Sequence, residues 1–240
     1  MGELAQRLRR AFRRYGAAGM ARQSFRLLVS WPSRRRYQRM DREFDARHAV
    51  DTAGVVRLQK LDIRSDNREH GVRYEATNPA WFRELVSSLP IDHSDFVFVD
   101  FGSGKGRALL LASEYPFARI VGVEFAPQLA AVARRNLDGF RSERQRCRDF
   151  ELVCVDAVDY AIPDEPLVLY FYNPFAEPVL RRVLEGVRRS LESSPRTAYA
   201  LVTGDAPLGL FTAAGFRPQS GVHSDKRGQR IFAWAGRSDG

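Results

Sequence analysis

The sequence predicts an α/β chain: a doubly wound, mostly parallel seven-strand sheet with a C-terminal antiparallel hairpin, preceded by a basic helical extension. Three observations lead there. From residue 95 onward, short apolar runs alternate with helical stripes, the pattern of strands joined by crossover helices. A glycine-rich turn, Asp100-Phe101-Gly102-Ser103-Gly104-Lys105-Gly106, separates the first such run from the first such helix. The charge is one-sided: residues 1–47 hold thirteen arginines against four acids, which equals the whole chain's net +9, so the rest is neutral by count.

The strands are expected at Phe96–Val99, Ile120–Glu124, Glu151–Val155, Leu167–Tyr172 and Thr197–Thr203. Helices are expected at Arg107–Glu114, Pro127–Leu137, Glu177–Leu191 and Leu208–Ala214. Phe216–Val222 and Arg230–Trp234 flank Ser224-Asp225-Lys226-Arg227-Gly228 and read as the closing hairpin. Upstream, Trp81, Phe82, Leu85, Val86 and Leu89 form a helical stripe that Pro90 ends. The implied organisation is an extension over 1–47, a connector and helical lead-in over 48–94, and the main domain over 95–237.

In the extension, Leu4, Leu8, Phe12 and Tyr15 recur at helical spacing, with Arg7, Arg9, Arg10, Arg13 and Arg14 mostly off that stripe. Such a helix suits an anionic membrane surface, nucleic-acid phosphates, a protein partner, or packing on the domain with a solvated basic face. No apolar run approaches the length of a membrane span, and no secretory signal is seen. A cytoplasmic protein is expected, with peripheral membrane contact through the extension as one option. Cys147 and Cys154 form no C-x-x-C, and His48, His70, His93 and His223 have no ligand spacing, so no metal is expected.

The glycine turn sets three cofactor readings beside a turn that holds no ligand, and S-adenosylmethionine is favoured over a dinucleotide. A nucleoside-triphosphate loop needs G-x-x-x-x-G-K-[ST]. Here Val99 stands in place of the first glycine, and Gly106 follows Lys105. A dinucleotide turn is G-x-G-x-x-G; Gly106 comes one residue early, and Asp100 would repel a pyrophosphate. S-adenosylmethionine fits, because its sulfonium and α-ammonium welcome an acid at the turn. Glu124, ending the next strand, suits a grip on ribose hydroxyls.

These residues resemble the class I (seven-strand, Rossmann-like) S-adenosylmethionine-dependent methyltransferases, over about residues 74–234. Asp100, Gly102, Ser103, Gly104 and Gly106 match the family's first motif, and Glu124 its ribose-binding acid, with Phe125 beside it. Cys154-Val155-Asp156-Ala157 matches the segment that contacts adenine, which assigns Asp156 and Ala157 to the cofactor. Tyr172-Asn173-Pro174-Phe175 matches the fourth motif, beside the transferred methyl. Tyr74-Glu75-Ala76-Thr77 is similar to the Tyr/Phe-x-Pro-Thr segment of non-SET protein lysine methyltransferases, with Ala76 in place of proline. That weaker resemblance implies Tyr74 and Thr77 line the cofactor; the alternative is an ordinary loop leading into the helix.

The resemblance implies methyl transfer to an amine nitrogen, protein lysine favoured over a small molecule or RNA. In amine methyltransferases of this fold, [Asn/Asp]-Pro-Pro-[aromatic] holds the target. Asn173, Pro174 and Phe175 match it without the second proline, and the side-chain oxygen is expected to accept from the amine. The other reading makes Asn173 the cap and Pro174 the first residue of the next helix. Glu75 is a candidate general base. Lys105 and Arg107 read either as cofactor-carboxylate contacts or as a solvated helix start. Outside enzymes, the alternative is an S-adenosylmethionine-binding sensor or scaffold.

Overall fold

The computed structural model describes residues 37–56, 74–173, 175–219 and 229–236. The chain divides into two compact units, Met1–Glu43 and Phe44–Gly240. Residues 37–48 are helical (α1). In the first unit Arg39 pairs with Glu43 one turn away at 2.6 Å. The rest of the expected basic extension, residues 1–36, lies outside the described residues, as does the hairpin turn at 224–228.

In the second unit, β1 (Val55–Val56) and β2 (Tyr74–Glu75) pair antiparallel. There follow α2 (Pro79–Ser87), β3 (Val97–Phe101), α3 (Arg107–Ala112), β4 (Arg119–Val123), α4 (Pro127–Gly139) and β5 (Phe150–Val153). Then come β6 (Leu167–Tyr172), α5 (Glu177–Ser193), β7 (Ala198–Thr203), α6 (Gly209–Ala213), β8 (Phe216–Pro218) and β9 (Gln229–Trp234). The main sheet is seven-stranded in the order β5-β4-β3-β6-β7-β9-β8. The first five pair in parallel, and β9 runs antiparallel to both β7 and β8.

Both faces of the sheet are covered, so its strands read as apolar runs. Along β3, Val97, Val99 and Phe101 point into the core layer under α5 and α6. Phe98 points the other way, among Phe82, Leu85, Leu109 and Leu110 of α2 and α3. Alternation therefore sends Asp100 to the α2/α3 face at the carboxyl end of β3. Asp100 lies beside Gly122 of β4 and Tyr170 of β6. Chain order reverses between β3 and β6, and such a switch point opens a crevice at the strand ends.

The expected element order holds, with ends shifted by local hydrogen bonds. Phe96 N donates to His93 O at 3.1 Å, closing a 3-10 turn, so the strand starts at Val97 and runs to Phe101. Helix α2 starts two residues before the apolar stripe, because Asn78 Oδ1 accepts from Ala80 N (3.0 Å) and Trp81 N (3.2 Å). Helix α3 stops at Ala112, two residues early. The first hairpin strand, expected over Phe216–Val222, is described over Phe216–Pro218.

Two expectations fail at the start of this unit. Residues 44–47, assigned from sequence to the extension, belong to the second unit, and Phe44 is part of its core. Arg107 is neither solvated nor free for a cofactor: it is 1% exposed. Its guanidinium carbon stands 4.1 Å from the Phe44 ring centroid. Arg107 Nη2 donates to Asp45 Oδ1 at 3.1 Å, and Nε donates to Thr52 Oγ1. Asp45 Oδ2 accepts from Thr52 N (2.8 Å) and Ala53 N (2.6 Å), and Oδ1 from Thr52 Oγ1 (2.6 Å). Lys105 is occupied too, donating to Asp51 Oδ1 (2.7 Å) and Ala53 O (3.1 Å). Asn136 of α4 ties Asp51 N and Asp51 O to Lys105 O. Residues 44–53 thus form a strap bonded to the glycine turn.

Removing one partner of a buried pair leaves the other charge uncompensated. Asp45→Ala should therefore cost about 3 kcal/mol in urea unfolding, and Asp45→Leu combined with Arg107→Met should cost less than Asp45→Ala alone.

Candidate functional site

A cleft opens at the carboxyl ends of β3, β4 and β6. The glycine turn supplies Asp100, Gly102, Ser103 and Gly104, β4 leads into Glu124 and Phe125, and β6 leads into Asn173 and Phe175. Tyr74 and Thr77 close it from the side of β2. Those ten sequence-selected residues share the cleft.

The turn is held to the sheet by its own backbone. Gly102 N and Ser103 N both donate to Val123 O, at 2.9 and 3.0 Å, and Gly106 N donates to Ser103 O at 2.8 Å. Gly104 must be glycine: its φ is +55°, and a Cβ there would lie 2.2 Å from the Tyr74 ring. Tyr74 is fixed in turn, since its hydroxyl donates to Thr52 O at 2.6 Å.

Glu124 is 4% exposed, and its oxygens are both used. Oε2 accepts from Gly104 N at 2.8 Å, and Oε1 accepts from Ala126 N at 2.9 Å. Burial pushes its carboxyl up to about 7, against the pull of these backbone bonds. Asp100, equally buried, is pushed well above the usual carboxylate range by burial and then by neighbouring Glu124. The Tyr170 phenol, beside Asp100, is raised above its ordinary value by burial. Ser103 Oγ is buried without a hydrogen-bond partner among the described residues. Among the described residues Arg107 is the one basic residue lining the cleft, and it is already paired with Asp45.

Three selected residues stand off the cleft, and one lies outside the described residues. A Cβ on Gly106 would meet Ala133 of α4, so Gly106 serves the approach of turn and helix. Asp156 caps the 3-10 turn Ala157–Asp159, its Oδ1 accepting from Val158 N at 3.1 Å, and Ala157 is buried in the core. Pro174 is the undescribed one. Asn173 reaches the cleft in an unexpected way. Its Oδ1, expected to accept from an amine, accepts from Asp205 N at 2.7 Å. Asn173 does not cap α5 either; that position is Ala176. Sequence reasoning missed Leu129, Ala108 and Tyr170 as lining residues, and missed Asp45 and Thr52 behind the turn. The run Tyr170-Phe171-Tyr172 at a strand's carboxyl end was a usable signal. Nothing in the spacing of Asp45 and Thr52 was.

Among solved structures the chain is similar to a precorrin-6y C5,15-methyltransferase from Geobacter metallireducens. The TM-score is 0.50 at 18% identity, covering 73% of this chain and 94% of that one. A predicted N6-adenine-specific DNA methylase from Listeria monocytogenes gives a TM-score of 0.49 at 13% identity, over 67% and 52%. An RNA methyltransferase from Salinibacter ruber, in complex with S-adenosyl-L-homocysteine, gives 0.45 at 20%, over 66% and 91%. No protein-family model matches the chain, and no curated protein matches it in sequence. The fold is that of the class I, seven-strand methyltransferases.

A buried acid whose folded pKa is raised stabilises the fold below its unfolded pKa and loses that contribution as pH rises through the folded value. For Glu124 the window runs from about 4.5 to about 7. The ligand-free protein should lose about 3 kcal/mol of urea stability across it through this group. Asp100 acts in the same direction, so the check is the difference between wild type and Glu124→Gln, which should shrink by that amount as pH rises.

Proposed function

We propose that this chain transfers a methyl group from S-adenosylmethionine to an acceptor nitrogen. One observation carries it: Asp100 and Glu124 are buried together at the edge of the sheet, and no unpaired cation lines the cleft among the described residues. Two such carboxylates favour a ligand that brings positive charge and hydroxyls. The cradle fits. Asp100 would face the cationic amino-acid end, Glu124 the ribose hydroxyls through its remaining lone pairs, and the Ser103 hydroxyl would gain the partner it lacks. When bound, the cofactor supplies a methyl on a positive sulfur, whose departure leaves a neutral thioether.

The chain's own task is then alignment and exclusion of water. Tyr74 covers the turn, while Tyr172, Asn173 and Phe175 border the acceptor side. Acids and aromatic rings, with no unpaired cation among the described residues, suit an amine rather than a phosphate-bearing group. Protein lysine is the favoured acceptor. Glu75 lines the cleft and is exposed, and in this reading it would take the proton that the methylated amine sheds.

Glu124→Ala should weaken S-adenosylmethionine binding by about 1.5–3 kcal/mol in calorimetry; unchanged affinity rejects its ribose role. The activity test is transfer of radiolabelled methyl into a cell lysate, separated into protein, nucleic acid and small molecules. Label on protein supports the lysine reading, and label elsewhere moves the acceptor to that class. Cofactor binding with no label in any fraction would favour a sensor or scaffold.

A further inference from the structure

Asn173 and Ala49 are the non-glycine residues of the described chain with positive φ, and Asn173 stands at +42°. It is the residue that leaves β6 for the cleft. Such a backbone persists only where its surroundings over-determine it, and it concentrates at working sites. Here the determinants come from the turn after β7. Asn173 N donates to Thr203 O at 3.2 Å. Asp205 N donates to Asn173 Oδ1 at 2.7 Å. Because that backbone group is a donor, it also decides which end of the amide is oxygen.

Gly204 completes the seat. Its φ is +96°, and a Cβ built on it would lie 2.1 Å from Oδ1, 2.4 Å from Cγ and 2.4 Å from Nδ2 of Asn173. The amide therefore lies against the glycine, in the space a side chain would take. Both faces of the contact are specified by residues some thirty positions downstream of Asn173 in the chain.

We propose that Gly204 and Asp205 are positioning residues for the transfer: they clamp the Asn173 amide and, through it, hold Tyr172 and Phe175 at the acceptor side of the cleft. This rests on the methyl-transfer reading. In-line transfer needs its partners aligned within a fraction of an ångström, and a displacement of about 1 Å costs on the order of a hundredfold. The clamp supplies that alignment without touching cofactor or acceptor.

Four variants test it beside wild type: Gly204→Ala, Asn173→Ala, both together, and Asn173→Asp, which keeps an oxygen for the Asp205 N–H. S-adenosylmethionine affinity is read by calorimetry, transfer as the initial rate of label into the lysate fraction that wild type labels, and the clamp as hydrogen exchange at the Asp205 amide. Gly204→Ala should bind the cofactor within about twofold of wild type yet transfer about tenfold or more slowly. The double variant should be no slower than Asn173→Ala. Asp205 exchange should quicken in Gly204→Ala and Asn173→Ala, and Asn173→Asp should keep more of the rate than Asn173→Ala. An equally fast Gly204→Ala, a cofactor affinity that falls in step with the rate, or an Asn173→Asp as slow as Asn173→Ala overturns the clamp. A wild type that binds the cofactor but labels nothing overturns the methyl-transfer reading, and the clamp's role with it.

Discussion

The carboxylate of Glu124 joins the glycine turn to the start of α4. One oxygen takes the amide of Gly104 and the other takes the amide of Ala126. A single buried acid thereby sets how far the turn stands from the next strand's end, and so sets the width of the cleft. The cost is an ionisable group in a dry place, with Asp100 beside it. Among the described residues neither acid has a cationic side-chain partner in the cleft, so the pair carries an electrostatic demand that a cationic ligand would answer. Stability and ligand choice are two readings of the same buried charge.

The second constraint lies behind the turn. Arg107, the first residue of α3, is held by Asp45, Thr52 and the Phe44 ring. Asp51 and Ala53 hold Lys105. The two basic residues that flank Gly106 are consumed by the strap, which is why the cleft presents acids and rings. Tyr74, anchored on Thr52 and packed on Gly104, carries the same strap over the top of the turn.

Much of the fold was legible in the sequence because its strands are buried on both faces and therefore appear as uninterrupted apolar runs. Leu167–Tyr172 matches to the residue. Where ends moved, one local bond moved them, as at Phe96 or Asn78. The cleft was legible to the extent that its residues follow strand ends in order: Asp100, Glu124 and Asn173 each close a run, and a doubly wound sheet brings such ends to one edge. The extension was misjudged at its inner boundary, because a helix that continues through Glu43 and Phe44 shows no change of composition where the packing changes.

The sequence by itself determined the alternation of strand and helix, the glycine turn and the acids at strand ends, since each is a local pattern of hydrophobicity or backbone freedom. Only the tertiary structure decided what the polar side chains do. Arg107 and Asp45 are 62 residues apart, and Asn173 and Asp205 are 32 apart. Whether an arginine is solvated or buried, and whether an amide oxygen is free or taken, depends on a partner that chain topology brings from far away. A hydrogen bond has no signature in the spacing of residues that distant, so its assignment waits on the fold.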